Sequence, residues 1–330
     1  MAYSKEVQRR AEARLEQARQ QNELDCDRRI AAIYEKYPRL AAIDRELRRT
    51  SAKVYAAAFR ESQDPAQAME RLKQENLALQ RERDWILESE NIDPEDLERE
   101  PICKTCGGSG WRGAVMCECL QELCRQEQKK ELAQQLGPAK ESFEKFRLDV
   151  YPDRIDPKLQ VSPRALMQRV YQSAVNYAKT FGPSSASLLF MGATGLGKTF
   201  LSGCIARAVA DRGFAVCYVP AGTLFSNFET EKFRLKEDGA LTGEYFETDL
   251  LIIDDLGTEM TTQFTVSALY QIINGRLLSG KPTIVSTNLP DKELEARYSA
   301  QIASRLLGAY TLYQFCGNDV RMVRKLEGGI

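Results

Sequence analysis

At 330 residues the chain has room for two or three domains, each able to bury a real core. Its formal net charge is −1 with 28% charged residues, so nucleic-acid binding would need a local patch, and exposed helices are favoured. Histidine is absent, which excludes Ser–His and Cys–His catalysis and leaves any metal site to cysteines or carboxylates.

No apolar run is long enough to span a membrane, and Met1 to Glu6 begins a polar segment without the apolar core of a signal peptide. The expected location is the cytoplasm. Nine cysteines, an odd and unevenly clustered set, favour a metal site over a disulfide framework in a reducing compartment.

Residues 3 to about 60 are helix formers without glycine, and Pro38 should split the run. Ile30, Ile33, Tyr37, Leu40 and Leu47 form a narrow seam. After the break at Asp64-Pro65 a second helical run carries Met69, Leu72, Leu79 and Ile86 at seam positions, with Asn76 and Arg83 weakening the same seam. A helical hairpin or partner-binding helical domain is expected, with a solvated linker helix as the plainer alternative. The basic residues Arg9, Arg10, Arg14 and Arg19 alternate with Glu6, Glu12 and Glu16 and read as a solvated face.

Cys103-x2-Cys106-x10-Cys117-x-Cys119 follows, with glycines between the pairs. Four thiolates at this spacing can surround one Zn2+ tetrahedrally, which points to a structural zinc knuckle. A redox pair lacks its strand–helix context here, and Cys124 is a spare thiol or an alternative ligand. A polar helix over 121–136 closes at Gly137-Pro138. The aromatic lead-in that follows, Phe143, Phe146 and Tyr151, could pack on an adenine or cap the core.

From about Pro163 strands and helices alternate as in a parallel sheet covered on both faces. Between the strand 186–191 and the helix 200–212 lies Gly192-Ala193-Thr194-Gly195-Leu196-Gly197-Lys198-Thr199, which fits the phosphate-loop pattern at every fixed position. Backbone N–H groups of such a loop point at phosphate oxygens at the positive end of the helix. Lys198 would reach the β- and γ-phosphates of ATP, and the Thr199 hydroxyl would ligate Mg2+.

Further strands are expected at 214–219, 249–253, 283–287 and 310–315. The third strand of the domain ends on Asp254-Asp255, and uncompensated acids there would be costly without a function. Asp254 is expected to hold Mg2+ through water and Asp255 to orient or deprotonate the attacking water. Asn288 follows the strand 283–287 as a candidate γ-phosphate sensor. Arg305, on the helix around 302–307, could act on the ATP of a neighbouring subunit or form an ordinary salt bridge, and Arg321 is a second candidate. The stretch after Phe315 is too short for a helical lid, so ATP should lie exposed until the chain assembles. The 229–244 segment, with Lys232, Arg234 and Lys236 among Glu231, Glu237 and Asp238, is either a DNA-facing element or a solvated loop.

GATGLGKT, LLIIDDLGTE, PTIVSTNL and SRLLG, in this order, resemble the DnaC/DnaI type of replicative helicase loader, a branch of the AAA+ ATPases. The cysteine knuckle behind a helical N-terminus is similar to the DnaI-like members. The resemblance implies an α/β AAA+ ATPase with a parallel five-stranded sheet, preceded by a helical N-terminal region and a small four-cysteine zinc knuckle. It further implies partition into a helical partner-binding region (1–100), the knuckle (101–127), a lead-in (128–162) and the ATPase domain (163–330). The implied activity is ATP-dependent loading of a hexameric replicative DNA helicase onto single-stranded DNA, with self-association through the ATPase domains. IstB-type transposition ATPases, which act on duplex DNA, share the same motifs. Asp at 255, where AAA+ proteins usually have Glu, implies slow intrinsic turnover.

Overall fold

A computed structural model describes residues 3–58, 65–136, 142–157, 160–233 and 242–327. Arg234, Lys236, Glu237 and Asp238 of the charged segment, Asp64, and the Gly137-Pro138 stop lie outside the described residues, as does the side chain of Met69. The chain divides into two compact units, one formed by Met1–Ala11 with Gln121–Ile330 and the other by Glu12–Leu120.

The long helix α1 (Lys5–Lys36), in the second unit from Glu12 on, ends at Tyr37, where Pro38 cannot donate the next hydrogen bond, and α2 (Pro38–Ala58) starts with that proline. α3 (Pro65–Ser89) returns antiparallel to α2: the guanidinium of Arg39 meets the Glu82 carboxylate through two hydrogen bonds of 2.6 Å. Leu40, Leu87 and Leu97 form its buried cluster, with Ile33, Tyr37 and Ile86 against them. Arg83 does not weaken this seam. It donates to the buried carboxylate of Asp44 at 2.7 Å, and the Tyr34 hydroxyl donates to the same carboxylate at 2.6 Å. Asn76 does remain a flaw, because its Oδ1 is buried without a partner. The hairpin β1 (Trp111–Arg112) and β2 (Val115–Met116) closes the unit.

α4 (Glu118–Leu136) leads into the larger unit, where α5 (Pro163–Thr180) precedes β3 (Leu188–Met191). Ser162 caps α5 by accepting from the Ala165 N–H, and Pro163 fills its first turn. Then come α6 (Lys198–Asp211), β4 (Val216–Pro220), α7 (Ala221–Phe233), α8 (Gly243–Glu247) and β5 (Leu250–Leu256). The domain continues with α9 (Gln263–Leu278), β6 (Thr283–Thr287), α10 (Asp291–Tyr298), α11 (Ala300–Ala309), β7 (Thr311–Gln314) and α12 (Val320–Glu327).

The sheet has the order β4-β5-β6-β3-β7, and every pairing is parallel. Its inner strands β3, β5 and β6 are buried on both faces almost throughout, as a covered parallel sheet requires, whereas the edge strand β7 is largely exposed. Leu188, Phe190, Ile252 and Ile284 pack with α5 and α6, while Leu189, Met191, Ile253 and Val285 pack with α7, α9 and α11. That two-residue alternation is the pleat itself. Two expected features differ. β5 runs on through both aspartates to Leu256, with a bulge between Ile253 and Leu256. Arg10, placed on a solvated face by the charge pattern, pairs with Glu131 and lies 3.6 Å from the buried Glu127 carboxylate.

Arg276 is fully buried on α9 without a carboxylate partner. Its guanidinium donates to the carbonyls of Tyr245 (2.8 Å), Thr248 (3.1 Å) and Pro282 (2.6 Å) and to the Thr283 hydroxyl (2.8 Å). It therefore ties the starts of β5 and β6 to α8. Arg276→Met keeps the apolar packing but strands these acceptors, so urea unfolding should register a loss of about 3 kcal/mol or more. A loss below about 1 kcal/mol would contradict that role.

Candidate nucleotide site and cysteine cluster

The phosphate loop leaves β3 and enters α6 with its conformation set by glycine. Gly195 has φ 81° and Gly197 has φ 91°, the left-handed region that side chains avoid. A Cβ on Gly195 would lie 2.2 Å from the Asp319 carboxylate, and one on Gly197 would lie 2.9 Å from the Tyr151 hydroxyl. Two hydrogen bonds fasten the loop from outside, and a third holds the end of β3 before it. Tyr151 Oη donates to Leu196 O (2.9 Å), Val320 N–H donates to Gly195 O (2.9 Å) and Phe315 N–H donates to Met191 O (2.7 Å).

Lys198 is buried and its Nζ donates to the carbonyls of Gly192 (2.6 Å) and Ala193 (2.9 Å). Burial lowers its pKa, an effect opposed by the nearby Asp255 and Asp254 carboxylates. Asp254 is buried at the bulge of β5. Its Oδ1 accepts from the hydroxyls of Thr199 (3.3 Å) and Ser286 (2.5 Å), and its Oδ2 accepts from the Tyr218 hydroxyl (2.6 Å). Asp255 takes φ 55°, which turns its side chain out of the strand alternation, and its N–H donates to Ser286 Oγ (2.9 Å). Partial burial raises the Asp255 pKa, and the Asp254 charge beside it acts the same way.

A cavity of about 230 Å3 collects these groups. Thr194, Gly195, Gly197, Lys198, Thr199 and Phe200 line it from the loop and helix, and Asp255 from the sheet. Phe146, Arg147 and Tyr151 of the lead-in form another wall, with Val320 and Arg321 of α12 opposite. Phe146 stacks on Tyr171 with ring centroids 5.1 Å apart, and Tyr151 is also part of the core. The lead-in therefore caps the core, and it also borders the cavity. The hydroxyl of Thr199 beside the Asp254 carboxylate is an all-oxygen donor set that suits Mg2+, and Lys198 lines the same cavity as Thr199.

Asn288 and Arg305 do not line this cavity. Asn288 Oδ1 is buried without a hydrogen-bond partner, next to Gly257. Arg305 lies over the Tyr270 ring at 4.7 Å and donates to Asn274 Oδ1 (3.0 Å) and Tyr270 Oη (3.0 Å), both on α9. The salt-bridge alternative for Arg305 is replaced by neutral partners. Sequence reasoning missed Ser286 and Tyr218, and it did not place Arg321 beside its own chain's loop. The parallel register offered a signal for the first two, because it sets β4 and β6 on either side of Asp254.

In the other unit, Cys103, Cys106, Cys117 and Cys119 bring four sulfurs within 4.8 Å of one another. Cys103 and Cys117 sulfurs are 3.9 Å apart, and those of Cys106 and Cys119 are 3.5 Å apart. Zn–S bonds of about 2.3 Å in a tetrahedron put sulfurs about 3.8 Å apart, so the cluster fits zinc. The Gly110 N–H donates to Cys106 Sγ at 3.3 Å, the kind of contact that steadies a thiolate. Burial works against the Cys106 thiolate, but this N–H and the neighbouring thiols outweigh it and bring its pKa to about 6. Cys124 is buried and is not one of the four.

Residues 167–313 match the family model described as IstB-like ATP binding protein. The replicative helicase loader DnaC of Escherichia coli K12 is 26% identical over 135 residues, which cover 40% of this chain and 55% of that protein. The chain thus spans about half the length of that relative. Uncharacterized protein YqaM of Bacillus subtilis is 25% identical over 239 residues, 66% of this chain and 68% of that one. A crystal structure of DnaI aligns at 20% identity with a TM-score of 0.45, covering 59% of this chain and 100% of that one. Among the described residues, no helix is long and apolar enough to cross a membrane.

Metal analysis of the purified chain should find one zinc per chain, and Cys106→Ala should bring the content close to zero. A chain that folds and carries no zinc after expression in zinc-supplemented medium would contradict the cysteine assignment.

Proposed function

We propose that this chain, whose residues 167–313 form an IstB-like ATP-binding domain, loads a hexameric replicative DNA helicase onto single-stranded DNA at the expense of ATP. The observation that carries the reading is the convergence of Lys198, Thr199 and Asp255 on one cavity, with Asp254 hydrogen-bonded behind them, in a domain similar to DnaC loaders. The helical hairpin and four-cysteine knuckle supply a second unit suited to holding the helicase.

In this reading the N–H groups of Gly192 to Thr199 cradle the phosphates, and Lys198 neutralises the β- and γ-phosphate charge. Thr199 and Asp254 hold Mg2+, which draws charge from the phosphate oxygens when bound. Asp255 orients the attacking water and accepts its proton. Its raised pKa makes it a better base than an ordinary aspartate. Asn288 is assigned the γ-phosphate sensor role, with its amide N–H as the donor. Arg305, braced by Tyr270 and Asn274, reaches the ATP of a neighbouring copy, so hydrolysis is slow until chains assemble. Lys232, in the last turn of α7, belongs to the charged 229–244 segment, the candidate DNA-facing element.

The IstB-like family match also favours a second reading, a transposition-targeting ATPase that acts on duplex DNA. Native mass spectrometry of the full chain with the replicative helicase of the same genome, in MgATP, separates the two. The loader reading predicts a discrete helicase complex that is lost when zinc is chelated. No complex under any nucleotide condition, together with ATP hydrolysis stimulated by duplex DNA, would replace it with the second reading.

A further inference from the structure

The two oxygens of Asp254 are held differently. Oδ1 is shared by the hydroxyls of Thr199 and Ser286, on the loop side of the carboxylate. Oδ2 accepts from Tyr218, whose hydroxyl reaches it at 2.6 Å from β4, the edge strand of the sheet. No nucleotide-binding motif includes this tyrosine. The residue is 5% exposed and belongs to the apolar cluster with Leu250, Ile252 and Ile205. Burial raises the Tyr218 pKa, with the Asp254 charge acting in the same direction, so the group is a proton donor throughout the working range.

The terminal torsion of an aspartate is broad and nearly two-fold, so one hydrogen-bonded oxygen does not fix the carboxylate plane. A second donor on the opposite oxygen does. We propose that Tyr218 is a positioning residue for magnesium: its hydroxyl locks the Asp254 carboxylate so that Oδ1 stays beside the Thr199 hydroxyl, where the ion of MgATP is received. The inference rests on the nucleotide reading above and adds to it a residue outside the loop and the acidic strand. A phenylalanine would fill the same core space, so only the hydroxyl bears this role. Loss of an outer partner of a metal-binding carboxylate typically costs 10- to 100-fold in metal affinity.

The test is equilibrium binding of a fluorescent ATP analogue to the full chain, titrated with MgCl2 and repeated in EDTA. Tyr218→Phe should raise the Mg2+ concentration at half-saturation about tenfold while binding in EDTA stays within about twofold. Tyr218→Met, which also lacks the hydroxyl, should shift it in the same direction and keeps the test open should the first variant fold poorly. In an Asp254→Asn background Tyr218→Phe should add nothing further, because the two act as one unit. A purely structural tyrosine would instead weaken binding in Mg2+ and EDTA alike. Half-saturation in Mg2+ within about twofold of the unaltered chain would overturn the inference and leave the nucleotide reading standing. An unaltered chain that binds no nucleotide in either condition would overturn both.

Discussion

A carboxylate taken out of water has to be hydrogen-bonded, and the larger unit is arranged round one that is. Asp254 is buried at the end of β5 and receives hydroxyls from α6, β6 and β4. Those donors align only if three neighbouring parallel strands share one register and the phosphate-loop helix starts at Lys198. The bulge after Ile253 then gives Asp255 its left-handed backbone and turns its side chain towards the cavity. Ser286 joins the two acids, donating to one side chain and accepting from the backbone N–H of the other. Position in the sheet and chemistry in the cavity are thus set by the same hydrogen bonds.

The loop is also closed from both ends of the domain. Tyr151 arrives from before the sheet and Val320 from after it, and each bonds to a loop carbonyl. The stretch after Phe315 forms α12 and brings Val320 and Arg321 to the cavity. Asp319 starts that helix by accepting from the Arg321 N–H, with its carboxylate beside Gly195. Exposure of a bound nucleotide would therefore be reduced within one chain, and Arg321 faces its own loop.

Much of this was legible in residue order. Strand–glycine loop–helix is a local pattern, and the phosphate loop and the apolar strands 188–191 and 250–253 stand where periodicity and turn residues placed them. The cysteine pairs were legible for a similar reason, since a short hairpin fixes how far apart they lie. What was not legible depends on distance in the chain. Tyr218 and Asp254 are 36 residues apart, and only the sheet order makes them neighbours. Arg83 looked like a flaw in its helix because its partner, Asp44, lies on another helix. Arg10 looked solvated for the same reason, with its acidic partners on α4. Charge pattern along one helix does not report partners across helices.

In the proposed function the Asp254–Asp255 strand end is a hydrolytic site, with the first acid holding the ion and the second acting on water. Single-turnover ATP hydrolysis by Asp255→Ala, with MgATP binding measured on the same protein, tests it most directly. The account predicts that binding is retained while hydrolysis falls by about 100-fold or more. Hydrolysis at the unaltered rate would contradict it and remove Asp255 from the chemistry.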